Sequence, residues 1–185
     1  MPPPRIHLRH HHLIKAFTVV ELMIYTALAA SLGSIGFKSM LNFMEERKLR
    51  SAAIELSSYL EIARNVASGA NSSCVIKINA AASGTFGPDT SNSSNACRAG
   101  TINPSLELRT LTGSRNLQVK VITEDDNTSL TFNPEGTTLR GATVLITSSD
   151  VESGGWCVDV QSPLATIRRG WIAKGANICN YAVEQ

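Results

Sequence analysis

Five sets of side chains in this sequence are of types that do chemistry. They are four cysteines, four histidines, an acidic cluster, three cations near the C-terminus and one glutamate inside an apolar stretch. The cysteines are Cys74, Cys97, Cys157 and Cys179. An even count in an exported domain reads as disulfides, whereas four thiolates together would hold zinc. No Cys-x-x-Cys pair occurs, so disulfides are expected and a metal is not. Four cysteines allow three pairings. Joining sequence neighbours, Cys74 to Cys97 and Cys157 to Cys179, needs the least rearrangement and is favoured. Each bridge would close a loop of about 20 residues, worth roughly 3 kcal/mol in the chain-entropy treatment.

The histidines His7, His10, His11 and His12 all lie in the first 15 residues, with Arg5, Arg9 and Lys15 and without an acid. The remaining chain has no imidazole, hence neither the commonest general base nor the commonest nitrogen ligand. Gly-x-Ser-x-Gly and phosphate-loop patterns are absent as well. A non-enzyme is expected, with no catalytic residue and no cofactor. Glu124-Asp125-Asp126-Asn127 offers carboxylates to calcium but lacks the spaced ligands of a dedicated loop, so it reads as a solvated turn. Arg168, Arg169 and Lys174, beside Trp171, are candidates for phosphate contact. Successive strand residues face opposite ways, so Arg168 and Arg169 would not make one patch on a regular strand. Cations and acids nearly balance, 17 against 15, and three of the cations sit before residue 16. That leaves no broad basic field for nucleic acid.

Glu21 is the only charge in the 22 residues from 16 to 37. A helix of that length spans roughly 33 Å, about the hydrocarbon thickness of a bilayer. A carboxylate there is costly and marks function. Basic residues ahead of the run orient its far end out of the cytoplasm.

Lys15-Ala16-Phe17-Thr18-Val19-Val20-Glu21-Leu22-Met23 resembles the prepilin leader of type IV pilins and type II secretion pseudopilins. In that family a basic leader precedes Phe-Thr-Leu-Ile-Glu-Leu. The resemblance implies cleavage by a prepilin peptidase between Ala16 and Phe17, N-methylation of Phe17, and Glu21 as the residue that sets register between assembled subunits. Its carboxylate would meet the amine of a neighbour's Phe17, each charge lowering the other's burial cost. Ala16 stands where the family has glycine, and the lead-in with Pro2-Pro3-Pro4 is long.

Behind the apolar run the pattern stays helical. Leu49, Ala53, Leu56, Leu60, Ala63 and Ala67 recur at spacings of four and three, with Ala52, Tyr59, Ile62 and Val66 widening the face. Ser57 falls with the polar residues of the opposite face. Gly69 is a natural terminator, while Gly33 and Gly36 are weak points within the helix. Short strands then follow at residues 74–78, 106–111, 117–123, 129–133, 143–147, 156–160 and 164–171. Residues 80–105 read as a long loop held by Cys97, and Thr112-Gly113-Ser114 as a hairpin turn. The expected fold class is α+β: a long N-terminal helix, membrane-spanning then amphipathic, packed on antiparallel sheet, either one sheet or two.

Leu60-x-x-Ala63-Arg64-x-x-Ala67, Leu130-Thr131-Phe132-Asn133-Pro134-Glu135-Gly136 and residues 158–169 are similar to the GspH/FimT group of minor pilins and pseudopilins. The group's closing Gly-Arg-x-Arg is not reproduced; the chain has Ala165-Thr166-Ile167-Arg168-Arg169-Gly170. The two resemblances imply a removed leader at 1–16, a helix at 17–69 and an external β domain at 70–185. They imply a structural subunit of a type IV pilus or type II secretion pseudopilus, held first in the inner membrane by one span. Its partners would be prepilin peptidase and other subunits. Some members of the group bind DNA during natural transformation, which makes DNA binding the alternative.

Overall fold

The computed structural model describes residues 18–79, 84–98, 102, 105–114, 116–123 and 128–181, with the side chains of residues 33–38 left aside. The expected leader with its histidines, Ala16, Phe17 and the 124–127 cluster therefore lie outside the described residues. The chain forms two compact units, Met1–Ser39 and Met40–Gln185.

Helix α1, Val19–Gly69, begins in the first unit and ends in the second. Its start is fixed by Thr18, whose Oγ1 accepts a hydrogen bond from the Glu21 backbone N–H at 3.2 Å, satisfying one of the helix's orphan donors. In the first unit apolar residues occupy all sides of the helix. Among the described residues no helix is long and apolar enough to cross a membrane. The span expected over 16–37 is thus not found there, because both its ends fall outside them: residues 16 and 17, and the side chains of 33–38.

In the second unit α1 becomes amphipathic. Leu49, Ala52, Ala53, Leu56, Tyr59, Leu60, Ala63 and Ala67 are all buried. Two expectations shift. Ile62 points outward, 48% exposed, whereas Ser57 is buried with its Oγ donating to the Ile54 carbonyl at 2.8 Å. That internal bond removes the cost of burying a hydroxyl.

Among the described residues, two four-stranded antiparallel sheets pair as β3-β2-β1-β5 and β4-β6-β7-β8. The first contains β1 (Cys74–Asn79), β2 (Thr85–Pro88), β3 (Leu106–Glu107) and β5 (Ser129–Phe132). The second contains β4 (Leu117–Thr123), β6 (Ala142–Ser148), β7 (Gly154–Gln161) and β8 (Thr166–Ala173). In β1 the alternation is regular: Cys74, Ile76 and Ile78 are buried while Lys77 and Asn79 are exposed. Register is set by pairs such as Cys74 with Phe132 and Val158 with Arg169. The main core joins the amphipathic part of α1 to both sheets through Ile76, Phe86, Leu130, Phe132, Val144, Ile146 and Val158.

Three details depart from expectation. The 80–105 segment contains strand β2 and a 3₁₀ turn, Ala96–Arg98, rather than loop alone. Residues 106–111 form only the two-residue β3, after which helix α2, Leu108–Thr112, takes over. Thr112-Gly113-Ser114 is accordingly no hairpin: Gly113 ends α2 in the left-handed conformation (φ 61°), its N–H bonded to the Arg109 carbonyl, and β3 and β4 belong to different sheets.

Candidate functional site

The apolar surface of the first unit is continuous and uncovered. Val19, Val20, Leu22, Met23, Ile24, Tyr25, Leu28 and Leu32 are each more than half exposed. In the second unit Met40, Leu41, Phe43 and Met44 extend this character, and Arg47 covers the Phe43 ring at 4.5 Å. Contiguous exposed apolar surface of this kind marks an interaction site. Glu21 is half-buried amid it. Thr18 and Glu21 also stand in the spacing of a capping box, a local role for the pair that the sequence reading overlooked. Phe17, the expected partner of Glu21, lies outside the described residues.

Both expected cysteine pairs are bonded: Cys74 to Cys97 and Cys157 to Cys179. The second ties the C-terminal tail to the outer face of the second sheet, beside Leu145 and Ile172. Gly170 permits that approach. A Cβ there would stand 2.9 Å from Cys179 Sγ, 3.0 Å from Cys157 Sγ and 2.5 Å from the Asn180 carbonyl oxygen. The tail is also paired to β8, Trp171 and Asn180 exchanging backbone hydrogen bonds at 2.9 Å. Tyr181 Oη donates to Asp159 Oδ2 at 2.6 Å, and Thr143 Oγ1 to Asp159 Oδ1 at 2.8 Å. Burial first, then that bond to a carboxylate, push the Tyr181 phenol up to about 12.

Arg168, Arg169 and Lys174 are not brought together. Arg168 lies on the outer face, its guanidinium 5.8 Å from the Tyr181 ring. Arg169 faces the other way, into a groove between α1 and β8. Lys174 borders a third place, a cavity of about 440 Å³ with Lys120 and Asn177.

The Arg169 groove has a volume of about 300 Å³. Arg50, Ala53 and Ile54 of α1 form one wall, while Trp156 of β7 and Ile167, Arg169 and Trp171 of β8 form the other. Trp156 and Trp171 are directly opposed in register, and Arg50 lies over the Trp156 ring at 5.4 Å. An adjoining trough shares both indoles and reaches Glu46. Of these residues the sequence reading singled out only Arg169 as a contact. The available signal was the placement of the chain's two tryptophans, 15 positions apart, on the strands expected at 156–160 and 164–171.

Arg64 donates from Nε to the Gly136 carbonyl at 2.9 Å, so the helix's Ala-Arg pair holds the turn after β5. This contact gives a physical reason for the two motifs to occur together. The chain has the pilin fold. Its structure is similar to the type IV minor pilin FimU of Pseudomonas aeruginosa, at a TM-score of 0.51 and 21% identity over 68% of this chain and 90% of that one. It is similar also to the minor pseudopilin EpsH from the type 2 secretion system of Vibrio cholerae, at a TM-score of 0.52 and 14% identity over 70% of this chain and 99% of that one. The sequence matches no protein-family model and no curated protein.

Proposed function

We propose that the chain is a minor pilin or pseudopilin, a structural rather than catalytic subunit that assembles through its N-terminal helix into a type IV pilus or type II secretion pseudopilus. The observation that carries this reading is the exposed apolar surface of α1 around Glu21, in a chain with the pilin fold. Leu28 and Leu32 are 54% and 72% exposed, and the second unit has a core of its own built from Leu49 onward. Lipid would cover them before assembly and neighbouring helices afterwards.

In this reading residues 1–16 are a leader removed by a prepilin peptidase, and Phe17 becomes the methylated N-terminus. Residues 17–69 anchor the chain in the inner membrane and later form the filament core. Residues 70–185 are the external domain. Glu21 fixes axial register by meeting a neighbour's Phe17 amine. The DNA-binding alternative draws less support, since Arg168, Arg169 and Lys174 face three different surroundings.

Intact mass of the chain made beside a prepilin peptidase tests the reading. A start at Phe17, one methyl heavier and four hydrogens lighter, is expected. An uncut chain retaining His10 to His12 overturns it. A Glu21→Ala chain should be cut normally and fail to enter filaments, and normal entry would remove the register role.

A further inference from the structure

Strand β8 forms one edge of the second sheet, and the chain's own tail covers only part of that edge. Trp171 and Asn180 exchange both backbone hydrogen bonds at 2.9 Å, so the polar backbone groups of Trp171 point away from β7. Such groups alternate sides from one residue to the next along a strand. The pairing of β7 with β8 runs without a break from Gly154 with Ala173 to Gln161 with Thr166, so no bulge resets the alternation. Arg169 and Ile167 therefore turn their N–H and carbonyl groups outward, as Trp171 does, whereas Gly170 and Arg168 turn theirs to β7. Among the described residues no group bonds the outward backbone of Ile167 or Arg169. An open strand edge is a template for a further strand. This one adjoins the groove of about 300 Å³ against α1, which Ile54, Ile167, Arg169 and Trp171 help to line. Every second side chain of an added strand would enter that groove, at a spacing of roughly 7 Å.

We propose that β8 takes up an extended, acid-bearing segment of a partner protein as a further strand, bonded to the backbone of Ile167 and Arg169 and carrying a carboxylate opposite Arg169. Charge complementarity selects the occupant. Across the sheet Arg168 is paired with Asp159, whereas Arg169 is paired with Val158 and stands exposed. An acid on the groove face answers Arg169, and an apolar residue two positions further on meets Ile167. A second copy of β8 fits poorly. Antiparallel pairing that joins Ile167 of one copy to Arg169 of the other would set the two Arg168 side chains directly opposite each other, where like charges repel. The chain's own residues 182–185 also fit less well. Continued in the register of Trp171 with Asn180, they would put Ala182 opposite Arg169 and their one acid, Glu184, opposite Ile167. Naming the partner as a neighbouring filament subunit rests on the function proposed above; the open edge does not.

Amide hydrogen exchange of the full chain in detergent micelles, followed residue by residue by nuclear magnetic resonance, reads this edge directly. In the chain alone, Gly170 and Arg168 should be protected, and Ile167 and Arg169 should exchange at least about tenfold faster. The probe is acetyl-Thr-Glu-Thr-Val-Thr-amide, whose glutamate and valine match Arg169 and Ile167 in antiparallel register. At about 10 mM it should slow exchange at Ile167 and Arg169 about tenfold, as half-saturation near about 1 mM requires. N-methylation of its glutamate and valine removes the two donors that face β8 and should abolish the effect. N-methylation of its middle threonine, whose N–H faces away, should leave the effect in place. Glutamine in place of the glutamate should weaken binding about threefold, and Arg169→Gln should erase that difference. Equal slowing by the peptides with and without the two donors, or no slowing at about 10 mM, overturns the proposal. Protection of Ile167 and Arg169 in the chain alone overturns it as well. Protection lost when the chain is ended at Tyr181 gives the edge to residues 182–185, and protection that grows with protein concentration gives it to a second copy. The peptide titration needs no cleavage at Phe17, so a chain left uncut by prepilin peptidase would remove the filament partner and leave the strand site standing.

Discussion

The two disulfides join residues 23 and 22 positions apart, so their loops are nearly equal in length, yet they hold different kinds of structure. Cys74 and Cys97 belong to the main core, packed with α1 and both sheets. Around them Asn95 acts as a clamp. Its Oδ1 accepts from the N–H groups of Val75 and Cys97, and its Nδ2 donates to the carbonyls of Val75 and Asp89. Cys157 and Cys179 instead sit in a small cluster with Leu145 and Ile172, where the bridge straps a tail to the outside of a finished sheet. Tyr181 and Asp159 are the polar clamp there. The entropic part of each bridge follows loop length and is about the same, near 3 kcal/mol. What surrounds the sulfurs differs, and that part decides whether a bridge supports the whole domain or one edge of it.

Replacing each pair by alanine sharpens the contrast. Cys74→Ala with Cys97→Ala should cost about 4 to 5 kcal/mol, the loop contribution plus lost packing in a core where both residues are at most 1% exposed. Cys157→Ala with Cys179→Ala should cost about 3 kcal/mol or less, because the freed tail leaves the main core intact. Urea unfolding followed by far-ultraviolet circular dichroism measures both. A larger loss from the second pair would mean that the tail belongs to the main cooperative unit.

How far these regions can be read from the sequence differs in the same way. The helix, the even cysteine count and strands such as β1, β4, β6 and β7 follow local rules: periodicity of 3.6 or 2 and near-neighbour pairing. The segment around Cys97 does not. Thr85-Phe86-Gly87-Pro88 carries one buried residue, Phe86, and becomes a strand only because β1 and β3 flank it. Leu108-Arg109-Thr110-Leu111-Thr112 has the β-branched content of a strand but closes into a single turn of helix capped by Gly113. The groove was illegible for a related reason. Arg50 and Trp156 are more than 100 positions apart, and no local pattern brings a helix residue over a particular indole. Arg168 and Arg169 were separable in advance because strand alternation is local.

The polar clamps extend the comparison to smaller effects. Tyr181→Phe removes a hydrogen bond to Asp159, which is itself only 8% exposed. Because the Tyr181 side is partly open to water, the loss should be about 1 kcal/mol at neutral pH. Folding raises this phenol from 10.0 to about 12, so the fold favours its neutral form. The contribution is complete below pH 10 and disappears as pH rises from about 10 to about 12. Wild type should therefore lose stability over that window relative to Tyr181→Phe. Parallel curves for the two chains would remove Tyr181 from the tail's anchoring.

Asp89 is the opposite case, at the acid end and in the Cys97 region. Ser91 donates to its Oδ1 from Oγ at 2.6 Å and from its backbone N–H at 2.9 Å, while Lys77 Nζ lies 2.9 Å away. The Ser91 hydroxyl first, then Lys77, hold the carboxyl down from 3.8 to about 2. A depressed carboxyl pKa means that the fold favours the anion. Its contribution is present above about pH 4 and is lost as pH falls toward about 2. The effect should be local, because Asp89 reaches the clamp through its backbone, its carbonyl accepting from Asn95 Nδ2 and its N–H donating to the Val75 carbonyl, and both bonds survive a change of side chain. Asp89→Asn should accordingly flatten the pH dependence of amide exchange at Ser91 between about pH 2 and 4 without altering exchange at Val75. If Val75 exchange also becomes faster, the carboxylate and the Asn95 clamp act as one unit, and the Cys97 region is held from its surface as well as from its core.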